Sequence, residues 1–181
     1  MVAKPMLKVF KVAIVLVATF LICTSSIFAY EEAVSSADLI VGGKGDLRVE
    51  KLRRFLDFYN SPLANYAWNF VNAADKYSLD WKIIPAITGV ESTFGKAIPT
   101  GSYNAYGWAN GAYWFTSWED SIEIVAKTLR VNYLDKGADT VEKIAPIYAP
   151  PSNTWAAKVR YFMEKIENFT PTNTLALELS L

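Results

Sequence analysis

Helical periodicity dominates the chain between Asp46 and Phe169. From Leu47 to Tyr59, apolar and charged positions recur with a period near 3.6, which predicts an amphipathic helix. Ser61-Pro62 then supplies an N-cap and a first-turn proline for a second helix running to about Tyr77. Asp80 caps a third helix, from Trp81 to about Phe94, which Gly95 ends. Pro85 lies near its start, where few backbone bonds are lost. Ser117-Trp118-Glu119-Asp120 has the form of a capping box with Asp in the final place, and it opens a fourth helix reaching about Tyr133. Thr140, and then Ser152 or Asn153, cap two more helices that end near Ile147 and Asn168.

Between the third and fourth helices the pattern changes. Ser102 to Thr116 is rich in aromatics and small residues, and Asn110-Gly111 between aromatics predicts a two-residue hairpin. The expected class is therefore mainly α, within α+β: a helical domain with a small β-hairpin lobe. No internal repeat or heptad array interrupts it.

The ends of the chain read differently. Lys4, Lys8 and Lys11 precede an apolar run from Val12 to Ile22, and Thr24-Ser25-Ser26 leads on to Ala29, the order of a secretory signal. The run is shorter than the roughly 20 residues of a spanning helix, although counting on to Ala29 nearly reaches that length. Residues 1–29 are thus expected to be a signal peptide or an N-terminal membrane anchor. Ile22 before Cys23 argues against a lipid anchor, because a small residue normally stands there. Residues 30–45 are small, polar and glycine-containing and read as a flexible spacer. Residues 46–169 form the expected domain, and 170–181 a loose tail. Either reading of the leader sends the domain to the cell surface or into the medium.

Composition narrows the chemistry. The chain of 181 residues has 18 basic and 18 acidic side chains, one cysteine and no histidine. Triads built on histidine, histidine-zinc sites and a histidine pH switch are all excluded. Removing residues 1–29 takes away three lysines and no acid, leaving 15 basic and 18 acidic groups and no cysteine. That balance offers little footing for nucleic acid, and an exported domain without disulfides must rest on its core alone. Acidic residues lack calcium-loop spacing, so no metal and no cofactor are expected.

Glu91 is the candidate catalytic group. Ile84, Ile87, Glu91 and Phe94 follow at +3, +4 and +3, so the carboxyl occupies a slot in an otherwise apolar helix face. It also lies in the last helical turn, where the dipole disfavours negative charge. Partial burial and the dipole both favour the protonated form, as a general acid requires. An ordinary surface glutamate is the competing reading, and the neighbouring sequence decides against it. Tyr103, Tyr106, Trp108, Tyr113, Trp114, Phe115 and Trp118 fall within sixteen positions. Aromatic faces pack on the C–H faces of sugars, and amides such as Asn104 and Asn110 can bond hydroxyl and N-acetyl groups. About half of these rings are expected to be core, and Trp68, Trp81 and Trp155 to be structural.

Three ordered blocks carry a resemblance. Trp81 to Gly95, ending in Glu91-Ser92-Thr93-Phe94-Gly95, then Ser102 to Trp108 with Asn104-Ala105-Tyr106-Gly107, then Phe115 to Ile122, are similar to the lysozyme-like superfamily. The branch they most resemble is the bacterial β-N-acetylglucosaminidases, of the mannosyl-glycoprotein endo-β-N-acetylglucosaminidase type, with lytic transglycosylases as relatives. The similarity spans roughly residues 60–168. It implies Glu91 as catalytic acid and Ser92 as its supporting neighbour. It also implies that Asn104, Tyr106 and Gly107 line the cleft, joined by the aromatic candidates Tyr103, Trp108 and Trp114. Tyr148 resembles the late tyrosine that the family places near the glutamate, against the alternative of a packing tyrosine in a proline-rich loop. The implied substrate is peptidoglycan or another N-acetylated aminosugar polymer, acted on by a monomer whose membrane contact is confined to its N-terminal segment.

Mechanism is less determined by sequence. A two-carboxylate glycosidase needs a second acid, and none lies between Ser92 and Trp118. Glu119, Asp120 and Glu123 come later, but the first two are explained as first-turn residues. A single-carboxylate route with help from the substrate's N-acetyl group fits better, ending in hydrolysis or in an anhydro product. The other classes left open are a non-catalytic wall-binding module and a purely structural helical domain.

Overall fold

The computed structural model describes residues 45–170; the expected leader, most of the spacer and nearly all of the tail lie outside them. Asp46 opens helix α1 (Leu47–Phe58) by accepting the Arg48 backbone N–H at 2.8 Å, and Leu52, Phe55 and Leu56 form its buried face. Ser61 accepts the Leu63 N–H at 3.0 Å in the turn ahead of the next element but is not its N-cap: a 3-10 turn (Ala64–Tyr66) begins after Leu63 and α2 (Ala67–Lys76) after Tyr66, both without a side-chain cap. The expected single helix is thus two pieces.

Helix α3 (Ile83–Ser92) is the centre of the core. Ile83 to Thr88 and Ser92 are all buried, and the helix packs chiefly on α6 (Trp155–Glu167). Its end differs from the simple glycine cap expected at Gly95. Thr93, Phe94 and Gly95 are all left-handed, with φ of 52°, 58° and 80°, so the chain reverses over three residues. For Thr and Phe that conformation is strained. Ser61 Oγ donates to the Phe94 carbonyl at 2.7 Å and Gly95 N–H donates to Ser92 Oγ at 2.9 Å, bonds that hold the turn. The reversal folds the Phe94 ring back under Gly89, where a Cβ would come within 2.7 Å of it.

Helix α4 (Trp118–Thr128) starts at the expected capping box. Ser117 Oγ accepts the Asp120 N–H at 3.2 Å, and the Asp120 carboxylate accepts the Thr116 N–H at 3.0 Å, one residue earlier than the usual return bond. The helix widens into a π turn (Leu129–Tyr133) and closes as a 3-10 turn (Leu134–Lys136). Thr140 caps α5 (Val141–Tyr148) as expected, whereas neither Ser152 nor Asn153 caps α6, which begins at Trp155 without a side-chain cap.

The six α-helices make the fold mainly α, and no strand occurs among the described residues. Asn110-Gly111 does turn the chain, but within a 3-10 turn (Trp108–Gly111) in which Ala109 and Asn110 have φ of 51° and 54°. The Asn104 side-chain amide braces this turn, donating to the carbonyls of Trp108 at 2.9 Å and Tyr113 at 3.0 Å, while the Tyr113 N–H also donates to the Trp108 carbonyl at 3.3 Å.

Candidate active site

Glu91 stands on the last turn of α3, half-buried, at the wall of a cleft of about 920 Å³. The helix face that carries it is otherwise committed to the core, so the carboxyl emerges at a fixed height above packed Ile84 and Ile87. Its two oxygens have different surroundings. Oε1 accepts the indole N–H of Trp155 at 2.6 Å, a contact that joins the end of α3 to the start of α6. Oε2 faces Gly107, where a Cβ would sit 2.7 Å from it. Gly107 has φ of 73°, so the position requires glycine both for its backbone and for the space that the carboxyl fills.

Tyr148, at the end of α5, completes this wall. Its ring stacks on Trp155 with centroids 4.9 Å apart and planes 26° apart, and its hydroxyl donates to the Tyr106 carbonyl at 2.8 Å. Burial, and then the nearby charge of Glu91, push the phenol well above its ordinary range, so it remains protonated at any working pH. Tyr133 approaches Tyr148 at 6.2 Å from the π turn, and its phenol is likewise raised by burial. Trp108, Asn110, Thr128 and the Pro150-Pro151 segment contribute the rest of the rim.

Of the residues singled out from sequence, Glu91, Tyr106, Gly107, Trp108 and Tyr148 meet at this cleft, Tyr106 with its ring fully buried. The remaining four do not line it. Ser92 is buried and spends its hydroxyl on the structure, donating to the Ala105 carbonyl at 2.8 Å and accepting from Gly95. Asn104 is buried with both amide hydrogens used, and its oxygen accepts the Trp108 N–H at 3.1 Å. Tyr103 packs edge-on against Trp118 at 5.3 Å, and Trp114 is 60% exposed outside the cleft. Ser92 and Asn104 therefore hold up the wall and are not placed to bind ligand.

Trp155, read from sequence as packing, is the residue that sequence reasoning missed. Tyr133 joins it, whereas Asn110, expected from its amide to contact the sugar, does line the cleft. Nothing local marks Trp155, since its partner lies 64 positions away. The later acids lie off this cleft: Glu119 sits in the first turn of α4, Glu123 pairs with Lys76 and accepts from the Tyr77 hydroxyl at 2.6 Å, and Asp120 belongs to the α4 cap. Among the described residues, Glu91 is the single carboxylate on the cleft lining. No group of three or more metal-ligating side chains occurs among the described residues, and no helix there is long and apolar enough to cross a membrane. No family model matches the chain, and no curated protein matches it in sequence.

Proposed function

We propose that the domain cleaves peptidoglycan glycan strands as an endo-β-N-acetylglucosaminidase of lysozyme-like type, with Glu91 as general acid. The observation that carries the reading is an oriented carboxyl, the single one on the lining among the described residues, on the wall of an aromatic-rimmed cleft. The cleft is of a size that takes aminosugar units, and Trp108 and Tyr133 line it.

With one carboxyl, a route assisted by the substrate accounts for the chemistry. Glu91 gives its proton to the glycosidic oxygen as the bond from C1 breaks, and the 2-acetamido oxygen of the same sugar closes onto C1. The resulting Glu91 carboxylate then takes a proton from water as that water opens the ring intermediate at C1. The acid is regenerated and the glycan ends in a free reducing sugar. Tyr148, protonated and tied to the Tyr106 carbonyl, buttresses the wall beside Glu91 during both steps. Residues 1–29 would carry the domain to this substrate outside the cytoplasm.

Incubating the full chain with purified peptidoglycan and weighing the soluble fragments by mass spectrometry tests the proposal. Fragments with hydrated reducing ends support the hydrolase. Fragments lighter by one water would replace it with a lytic transglycosylase, and retention on the wall without release would leave a binding module.

A further inference from the structure

Trp155 is 3% exposed, stacked on Tyr148, and directs its N–H at Glu91 Oε1. An indole nitrogen donates and cannot accept. In a neutral carboxyl the carbonyl oxygen is a much better acceptor than the hydroxyl oxygen, so a short N–H bond to Oε1 favours the form in which Oε1 is the carbonyl and the proton sits on Oε2. We propose that Trp155 is a positioning residue which keeps the transferable proton of Glu91 on Oε2, the oxygen turned toward Gly107. The inference rests on the reading of Glu91 as the general acid.

The surroundings suit this role. Tyr148 covers one face of the indole, and its own hydroxyl is anchored on the Tyr106 carbonyl at 2.8 Å, so the direction of the N–H is set by the packing on both rings. Gly107 leaves Oε2 room that any side chain would remove. Histidine, tyrosine or glutamine at position 155 could accept as well as donate, and would let the proton settle on either oxygen. A donor-only, buried and stacked group is the one that imposes a choice.

The test is the full-chain variant Trp155→Phe, which keeps a ring against Tyr148 and removes the donor. Losing a hydrogen bond to a charged group is expected to lower kcat on soluble peptidoglycan fragments roughly 10- to 100-fold with KM little changed. A packing role alone would lower the melting temperature and leave kcat of the folded variant in place. An active wild type whose variant keeps kcat overturns the proposal while sparing the general-acid reading. A wild type that cleaves no glycan overturns both.

A second measurement does not depend on the variant folding. In wild-type protein labelled with 15N-tryptophan, one of the six indole signals should shift as Glu91 titrates, and that pH dependence should vanish in Glu91→Gln. If no indole signal behaves in this way, Trp155 does not hold the carboxyl and the proposal fails.

Discussion

Replacing Gly107 with alanine is the perturbation whose effect can be worked most closely from the geometry. The new Cβ would lie 2.7 Å from Glu91 Oε2 and 3.3 Å from its Cδ. Relief to a normal contact of at least 3.4 Å moves the carboxyl oxygen by about 0.7 Å, since it is the far end of a flexible side chain and yields before the backbone does. That motion strains the 2.6 Å bond to Trp155. Misplacing a reacting group by about 1 Å costs about 100-fold, so activity should fall roughly 10- to 100-fold. The backbone adds a separate effect. At φ of 73° an alanine is disfavoured by roughly 1–2 kcal/mol, lowering the melting temperature by several degrees. Gly137→Ala separates the two, because Gly137 has φ of 89° and no atom within 4 Å of the added Cβ. It should lose similar stability and keep full activity. The assay is release of soluble fragments from peptidoglycan, paired with thermal unfolding. If Gly107→Ala cleaves as well as Gly137→Ala, the reasoning about Glu91 is refuted.

Other consequences concern the scaffold and its charges. Ser92→Ala breaks the bonds to the Ala105 carbonyl and from the Gly95 N–H and should destabilise the fold by about 1–3 kcal/mol, read as a lower urea midpoint. Its KM should stay close to that of the wild type, and a large rise in KM would instead make Ser92 a substrate ligand. Arg53, and then Arg54, hold the Glu50 carboxyl down to about 2 from its ordinary 4.5. A depressed carboxyl contributes stability that is present above pH 4.5 and is lost as pH falls through about 2. Because the side chain is 44% exposed, screening limits that contribution to under about 1 kcal/mol. Glu50→Gln should therefore shift the melting temperature slightly at pH 6 and still less at pH 2, and salt should shrink the difference. Equal destabilisation at both pH values would show that Glu50 acts through packing.

The parts of this molecule that were legible in the sequence are those decided by neighbours along the chain. The Ser117 and Thr140 caps and the apolar face of α3 depend on residues three or four apart, and they lie where the pattern puts them. The slot that Glu91 occupies on that face was visible for the same reason. What the pattern could not reveal depends on contacts across the fold. Asn104 and Ser92 stood out, but whether their polar atoms meet a ligand or a backbone carbonyl is settled by the reversal at Thr93 to Gly95, which brings Ala105 to Ser92. The aromatic hairpin signal at Asn110-Gly111 is a true turn signal, but the turn is a 3-10 turn braced by the Asn104 side chain and no strands flank it among the described residues. Trp155 looked like core because it is core. Its N–H acquires a partner only when α6 packs on α3.

The most direct measurement compares wild type with Glu91→Gln on insoluble peptidoglycan, following soluble glycan fragments over time. The substitution keeps the shape of the side chain and its acceptor for the Trp155 N–H while removing the acid proton. The account predicts sustained release by the wild type, release at least roughly 100-fold slower by the variant, and equal sedimentation of both proteins with the wall. Equal release by the two proteins, or none by either, would contradict it.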